Sequence, residues 1–454
     1  MKRWRIEWSR GKVLVLWLWT LVALFPLAAQ TEVSGESVGE SVRVGRDTVA
    51  LPPLSYAMRV GADTLMWPDS SAVWCRFFAE LEALREGKDT VITIVHLGDS
   101  HIQAGHFSGR VMRAFHQEFG NAGRGWIAPF KLGKSNEPDD YFIKSNVNDW
   151  ICGKCIQHEP KTPIGLGGIG IRSFSPSIHW DVIITPINGA GYAFNRAILY
   201  RDEQAMPFVP AKGSKADVRW IGADSLCAPR VVADTLYSAQ LIDTLHLQTS
   251  RRKVGTDEEL PASAFKNLYY GLSLTNGAPG ILYHSIGVNG AMFVHYSDTA
   301  YVKQLRLLRP SLLIISLGTN ETFGRRFQAA EFEGQVKQFL ALVKHYMPNT
   351  AVLLTTPPEC YKRIWVNKKR QFTRNTQTEV AAAVLCKVAA EEGIACWDLF
   401  QTTGGKQSCK RWLSQHLLGR DRIHFMREGY HEQGVLLFRA LMRAYNQFEN
   451  TTWR

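Results

Sequence analysis

Short runs of β-branched and other apolar residues alternate along this chain with stretches of helical apolar periodicity. The runs typical of buried strands are 91–97, 281–286, 312–317, 351–355 and 394–398. The stretches with apolar residues on one helical face are 107–119, 331–347, 378–392 and 428–448. Strands that alternate with helices form a parallel sheet with helices against both of its faces. The alternation therefore predicts an α/β fold with a three-layer αβα domain.

A central segment, residues 140–275, breaks this alternation. Turn residues there separate short strand-like runs at intervals typical of a β-sandwich. Long ordered loops are the alternative, but so many residues without secondary structure would be unusual in a compact domain. We predict an inserted β-rich, sandwich-like domain over 140–275, which divides the αβα domain into a first part at 71–139 and a second part at 276–454.

The first 29 residues have the layout of a secretory signal peptide. Basic residues precede an apolar run that ends in the small residues Ala28 and Ala29. Residues 30–70 begin without helical or strand periodicity, and we interpret them as a tether and lead-in. The protein is expected to be periplasmic or otherwise exported. Because the apolar run is long, an uncleaved membrane anchor is the alternative, and only in that case is contact with a membrane expected.

The charge and the cysteines limit the partners that this chain is expected to have. It carries 53 basic and 41 acidic residues, a net charge of +12, and no arginine-rich run or nucleic-acid motif concentrates that charge. Nucleic-acid binding is therefore not expected. Among the eight cysteines, Cys152 and Cys155 form the only close pair, which indicates either a structural disulfide or packed thiols rather than a zinc site. We expect a monomer with no metal and no cofactor.

The run HLGDSH at 96–101 lies where the first predicted strand ends and a helix begins. Active residues of open parallel sheets cluster at the carboxyl ends of the strands. Ser100 can project its hydroxyl into that region, and its own N–H faces the same space near the positive end of a helix. Taken alone, Gly-Asp-Ser is also a common turn with a helix cap.

Three further sequence elements indicate that the run at 96–101 belongs to a catalytic site. Asn320 follows a predicted strand, and its amide can donate to an oxyanion. Gly287 and Gly290 follow another strand, and a glycine there allows a backbone N–H to approach a substrate closely. Asp421 and His424 precede the last helix, at a spacing that lets the carboxylate accept from one imidazole nitrogen and leaves the other free as a base. Together the elements predict nucleophilic catalysis by a serine.

In this order the elements resemble the four blocks of the SGNH, or GDSL-type, hydrolases. The resemblance covers about residues 85–448 apart from the insert. It implies that Ser100 is the nucleophile, His424 the base, Asp421 its orienting acid and Asn320 a donor to the oxyanion. It also implies the αβα hydrolase fold that the strand and helix pattern predicts.

The resemblance implies an oxyanion hole made of the Ser100 N–H, one glycine N–H and the Asn320 amide. Gly290 matches the glycine block best by its spacing to Asn320, and Gly287 is the competing choice. The chain departs from the common pattern at two positions. His101 stands where many members have leucine, and Glu321 stands where many have aspartate.

A narrower likeness rests on several short motifs. They are GDSHIQ at 98–103, GNAGRG at 120–125, YHSIGVNGA at 283–291, GTNE at 318–321 and DRIHF at 421–425. With the β-rich insert, they resemble the periplasmic peptidoglycan O-acetylesterases of Gram-negative bacteria, in which the insert is similar to a carbohydrate-binding module. The resemblance implies that the chain removes acetyl from the 6-hydroxyl of N-acetylmuramic acid through an acetyl-serine.

Other functions fit the same residues. The alternatives are an esterase for another acetylated polysaccharide, a lipase-type esterase, an acetyltransferase in which a sugar hydroxyl replaces water, and a cell-wall glycan-binding protein without catalysis. In the insert, Trp180, Tyr192 and Trp220 are candidates for stacking on sugars, although each is also typical of a sandwich core.

Overall fold

The structure is a computed structural model whose described residues all follow the predicted signal peptide. They are 49–52, 64–68, 71–186, 191–212, 217–225, 230–249, 266–324 and 326–452. The predicted signal peptide at 1–29 and most of the predicted tether at 30–70 therefore lie outside the described part. Among the described helices, none has both the length and the apolar character that crossing a membrane requires.

The described strands are numbered in chain order. The first nine are β1 (Val91–Gly98), β2 (Gly125–Ile127), β3 (Tyr141–Ser145), β4 (Ile151–Lys154), β5 (Ile169–Ser173), β6 (His179–Ile184), β7 (Phe194–Asp202), β8 (Phe208–Pro210) and β9 (Val218–Ser225). The others are β10 (Val231–Ile242), β11 (Thr244–Thr249), β12 (Asn267–Thr275), β13 (Gly280–Gly287), β14 (Leu312–Ser316), β15 (Ala351–Thr355), β16 (Tyr361–Val366), β17 (Lys369–Arg374) and β18 (Ala395–Trp397).

The described α-helices are numbered in the same way. They are α1 (Ala72–Arg85), α2 (Ser100–Gln103), α3 (His106–Phe119), α4 (Phe293–Tyr296), α5 (Thr299–Leu305), α6 (Ala329–Tyr346), α7 (Gln377–Glu392), α8 (Leu399–Thr402), α9 (Ser408–Ser414) and α10 (Arg427–Thr452). The helices predicted from apolar periodicity correspond to α3, α6, α7 and α10.

Five described strands form a parallel sheet in the order β13-β1-β14-β15-β18. Successive side chains of a strand point to opposite faces, so β1 directs Ile92 and Ile94 to one core and Val95 and Leu97 to the other. Helices α1, α3 and α10 cover the first face, and α5, α6 and α7 cover the second. The predicted three-layer αβα arrangement is confirmed.

The segment between α3 and β13 folds into antiparallel sheets. One follows the order β4-β5-β12-β7-β10-β9, with β2 also paired to β12, and a second follows β3-β6-β11-β8. Trp180 of the second sheet packs on Tyr269 of the first, with ring centroids 5.3 Å apart, and Phe208 joins them. The predicted β-rich, sandwich-like insert is thus confirmed. Its boundary at residue 140 stays a proposal, and the pairing of β2 favours an earlier start.

Helix α1 and the hairpin β16–β17 are among the described elements that have no predicted counterpart. Helix α1 packs Trp74 and Phe78 into the core. The hairpin β16–β17 projects after β15 and is rich in basic residues, with an exposed Trp365. Five of its basic side chains have no acidic partner among the described residues: Lys362, Arg363, Lys368, Lys369 and Arg370. The positive charge is therefore more concentrated than the sequence analysis expects.

Six of the described cysteines are free thiols: Cys152, Cys155, Cys360, Cys386, Cys396 and Cys409. Cys152 and Cys155, on and just after β4, are packed and unbonded, which is the second of the two alternatives for this pair. Cys386 and Cys396 approach to 3.6 Å between their sulfur atoms without a bond between them.

Candidate active site

The candidate site lies where the carboxyl ends of three neighbouring strands meet. Ser100 begins α2 two residues after β1, Gly290 lies in the loop after β13, and Asn320 lies in the loop after β14. Because these strands are adjacent in the order β13-β1-β14, their ends bring residues that are distant in sequence to one edge. The segment between α9 and α10 adds His424 from above this edge.

Ser100, His424 and Asp421 form one chain of hydrogen bonds. The Ser100 Oγ lies 2.9 Å from His424 Nε2, and His424 Nδ1 lies 2.7 Å from Asp421 Oδ2. Since a carboxylate only accepts, the imidazole proton belongs on Nδ1, and Nε2 is left to accept from the serine hydroxyl. This is the geometry in which an imidazole acts as a general base toward a serine.

The Asp421 carboxylate is held by its own loop. Its Oδ1 accepts from the backbone N–H groups of Ile423 and His424, at 3.0 and 3.1 Å. Burial acts to raise the pKa of Asp421, but the hydrogen bonds from the imidazole and from these two N–H groups outweigh it and keep the pKa well below its usual range. The hydrogen bond to Asp421 in turn raises the pKa of His424 above its ordinary value.

His101 packs beside the base as a neutral ring. Its ring centroid lies 5.4 Å from that of His424, and its Nδ1 is 2.9 Å from the hydroxyl of Tyr430. Burial lowers the pKa of His101 to about 3, so the ring carries no charge at neutral pH. A charged neighbour would oppose formation of the imidazolium at His424, and this neutral ring does not.

The two candidate glycines differ in their surroundings. Gly290 has a φ of +83°, which favours glycine, and it borders the cavity that Ser100 and His424 also line. Gly287 ends β13 beneath α2, where an added Cβ would come within 2.3 Å of the Gln103 nitrogen. Gly287 is therefore required for close packing, and the open position belongs to Gly290.

The Asn320 amide points toward two protein acceptors. Its Nδ2 donates to Asp99 Oδ2 at 3.0 Å and to the Ala291 carbonyl at 2.9 Å. Asp99 also accepts from the His101 N–H at 2.9 Å. Burial raises the pKa of Asp99 to about 7. Asn320 borders the same cavity as Ser100, but the structure directs its amide hydrogens at these two oxygens.

One open cavity of about 620 Å³ is bordered by Ser100, Gly290, Asn320 and His424. Phe323, Phe425 and Tyr430 add aromatic walls, and Asn136 and Asn289 form one side. A volume of this size suits a sugar-sized group rather than a bare acetyl ester. The cavity therefore admits an ester that is attached to a larger molecule.

Gln103 ends the GDSHIQ motif, but the sequence predicts no role for it. It is buried, and its Oε1 accepts from the Asn289 N–H at 2.7 Å. Its Nε2 donates to Ser135 Oγ and to the Asn136 carbonyl, both at 2.8 Å. Gln103 thereby ties the loop after β13 to a loop that precedes β3.

Arg422 is a second residue without a predicted role. It lies between Asp421 and His424 and has a φ of +59°. Its guanidinium lies 4.1 Å from the ring centroid of Phe372 on β17, and its carbonyl accepts from the Tyr361 N–H on β16. The hairpin β16–β17 thus braces the loop that holds the base. No local pattern in the sequence indicates this contact.

The aromatic candidates of the insert are distributed between core and surface. Trp180 and Tyr192 are buried, as core residues of a sandwich are, whereas Trp220 on β9 is 44% exposed. None of these three residues borders the cavity that Ser100 lines.

Comparison with protein families supports an ester-hydrolysing domain. The model of the GDSL-like Lipase/Acylhydrolase family matches residues 255–431. This range includes Gly290, Asn320, Asp421 and His424, while Ser100 precedes it. No curated protein sequence matches the chain.

One solved structure shows the same fold over most of the chain. A structure described as a peptidoglycan O-acetylesterase aligns with a TM-score of 0.65 and 21% identity, covering 84% of this chain and 99% of that one. A GDSL-like lipase from Bacteroides thetaiotaomicron aligns with a TM-score of 0.29 and 19% identity, covering 36% and 76% of the two chains. At 21% identity the first alignment is informative about the fold alone.

Proposed function

We propose that the chain carries a hydrolase domain of the GDSL-like Lipase/Acylhydrolase family and that it is a serine esterase that removes O-acetyl groups from cell-wall glycan. The observation that carries the proposal is the hydrogen-bonded chain from the Ser100 hydroxyl through His424 to Asp421. Nucleophile, base and orienting acid are within hydrogen-bond distance of one another, as acyl transfer requires.

The reaction proceeds by two acyl transfers. His424 Nε2 takes the Ser100 proton while Oγ attacks the acetyl carbonyl carbon, and Asp421 stabilises the imidazolium that forms. The tetrahedral intermediate collapses, the C–O bond to the sugar breaks, and the imidazolium gives its proton to the departing sugar oxygen. Water, deprotonated by His424, then attacks the acetyl-serine. Acetate leaves and Ser100 recovers its proton.

Three donors are proposed to stabilise the oxyanion: the Ser100 N–H, the Gly290 N–H and the Asn320 amide. In the resting arrangement, both amide hydrogens of Asn320 are directed at Asp99 and Ala291. One of these hydrogen bonds must therefore be shared with, or replaced by, the bond to the oxyanion. Asp99, with its pKa raised by burial, is the weaker competitor whenever its carboxyl group is protonated.

Peptidoglycan is the proposed substrate, and acetyl on the 6-hydroxyl of N-acetylmuramic acid is the proposed group. The fold likeness to a peptidoglycan O-acetylesterase and the predicted signal peptide support this choice. An exported location follows from the same two observations. Esterases for other acetylated polysaccharides and acetyltransferases would use the same residues, so the substrate and acceptor are questions for experiment.

The experiment compares acetate release from O-acetylated peptidoglycan with release from chemically de-O-acetylated sacculi. We expect release from the first substrate alone, with Ser100→Ala measuring the background. Activity on another acetylated polymer without release from acetylated sacculi would contradict the substrate. Transfer of the acetyl group to an added glycan acceptor, in place of free acetate, would identify an acetyltransferase instead.

A further inference from the structure

A second cavity adjoins the cavity that Ser100 lines. It has a volume of about 490 Å³ and shares Asn136 and Asn289 with the first, so these two residues form the boundary between them. Asn289 Nδ2 donates to Asn136 Oδ1 at 2.7 Å, and Gln103 fixes both residues from beneath. A molecule larger than one sugar can therefore occupy both cavities across a fixed boundary.

The walls of the second cavity come from both parts of the chain. Val288 and Asn289 belong to the loop after β13 of the parallel sheet, whereas Lys154 and Ile156 lie at and after the end of β4 of the antiparallel sheet. Ile156 also approaches Gly290, with its Cδ1 3.8 Å from the position of a Cβ on that glycine. The β-rich segment thus contributes a wall directly beside the candidate oxyanion hole.

The charged side chains that line the second cavity are all positive among the described residues. Lys134 and Lys154 line it, and no acidic side chain does so among the described residues. Within the part of the chain that the structure describes, neither ammonium group has an ion-pair partner. Two unpaired cations beside the apolar side chains of Ile156 and Val288 favour a ligand that has both a carboxylate and an apolar portion.

We propose that the second cavity is a subsite for a carboxylate-bearing substituent of the acetylated sugar. The inference rests on the proposed function and assigns the residues that recognise the acidic substituent of that substrate. Muramic acid carries such a substituent, since the lactyl ether on its ring ends in a carboxylate or in the peptide attached to it. With the acetyl ester in the first cavity, the boundary residues Asn136 and Asn289 contact the ring between the two groups.

Lys134 and Lys154 then select the substrate by charge. The test uses one O-acetylated muramyl sugar in three forms: with a free lactyl carboxylate, with that carboxylate converted to a neutral methylamide, and with a peptide whose own carboxylates are free. The wild-type protein is expected to prefer the charged forms in kcat/KM. A preference for the first form identifies the lactyl carboxylate as the ligand, and a preference for the third alone identifies the peptide.

The variants are Lys134→Ala, Lys154→Ala and their double substitution, with Lys144→Ala as the matched control. Lys144 is an exposed lysine of β3 that does not line the cavity. Each single substitution should lower the charged-to-neutral ratio of kcat/KM about threefold to tenfold, and the double substitution should lower it further. Lys154→Arg should restore most of the ratio, and Lys154→Glu should reverse the preference.

Two outcomes overturn the subsite in distinguishable ways. If the wild-type protein releases acetate from all three sugars at equal kcat/KM, or if the double variant keeps the wild-type ratio, the subsite is refuted while the esterase proposal stands. If no muramyl sugar is deacetylated but 4-nitrophenyl acetate is still hydrolysed, the proposed substrate fails and the subsite fails with it.

Discussion

The carboxyl edge of the parallel sheet and the loops of the β-rich segment line adjoining cavities, but they contribute to them differently. The edge supplies the proposed reacting groups, of which Ser100 lies two residues and Asn320 four residues after the end of a strand. The β-rich segment supplies walls and charge, through Lys134, Lys154 and Asn136 on loops and at a strand end. The proposed reaction and the proposed substrate selection thus belong to different parts of one molecule.

This difference shows how each kind of residue is held. A strand end has its backbone fixed by neighbours on both sides, so a side chain just beyond it is placed accurately. Loop residues of the β-rich segment are held by side-chain hydrogen bonds to the sheet edge, and Gln103 makes several of them. Substitutions in one region should therefore leave the other region largely unaffected.

Ser100→Ala should produce the largest effect, a loss of at least about a thousandfold in ester hydrolysis, because the nucleophile is removed. The measurement is kcat/KM for 4-nitrophenyl acetate and for acetylated peptidoglycan, and both should fall together. Ser414→Ala is the control, since Ser414 is exposed on α9 outside both cavities. Wild-type rates in a folded Ser100→Ala sample would break the assignment of reaction to the sheet edge.

Asp421→Asn should cost about a hundredfold or more in kcat and should also change the pH profile. The neutral form of His424 is the base, so activity rises with pH through the raised pKa of that residue. Without the carboxylate this pKa falls, and the midpoint of the rise should move to lower pH while the plateau drops. Asp149→Asn, at an exposed position of the β-rich segment, should leave the profile in place. An unchanged midpoint in Asp421→Asn would contradict the orienting role.

Substitutions of Gln103 should have the smallest effect on activity. They should also distinguish most clearly between the contributions of the two regions. Gln103→Glu keeps an acceptor for the Asn289 N–H but loses the donors to Ser135 and Asn136, whereas Gln103→Ala loses both sets. We expect about a tenfold loss in kcat/KM for 4-nitrophenyl acetate with alanine. In Gln103→Glu, the kcat/KM for acetylated glycan divided by the kcat/KM for 4-nitrophenyl acetate should decrease. This decrease should be a larger factor than the decrease in kcat/KM for 4-nitrophenyl acetate alone. Equal losses on both substrates in the two variants would show that the regions do not act separately.

Much of the fold follows from local pattern. The strands of the parallel sheet are apolar runs buried on both faces, and the helices between them have one apolar face, so both are visible over short windows. The hairpin β16–β17 has an exposed polar pattern without a core-facing run, and α1 lies close to a region without clear periodicity. These elements are fixed by contacts with distant parts of the chain, which no short window contains.

The residues of the site likewise fall into those that local motifs predict and those that depend on distant contacts. Ser100, Asp421 and His424 stand in motifs whose spacing reflects the turn that each residue occupies. The contacts of Gln103 join residues 33 and 186 positions apart, and no spacing rule connects them. No motif indicates that Lys134 and Lys154 lie together, because these two charges line one cavity only after the strands and loops have folded.

The hydrogen bond between Ser100 and His424 joins positions 324 residues apart, so the proposed nucleophile is synthesised long before the proposed base. The strand that carries the serine must also wait for β13 and β14, made much later, before it has neighbours in the sheet. A nascent chain that ends before His424 therefore lacks the proposed base, whatever its local structure. We therefore expect esterase activity only in chains that include the turn before α10 and place His424 against Ser100.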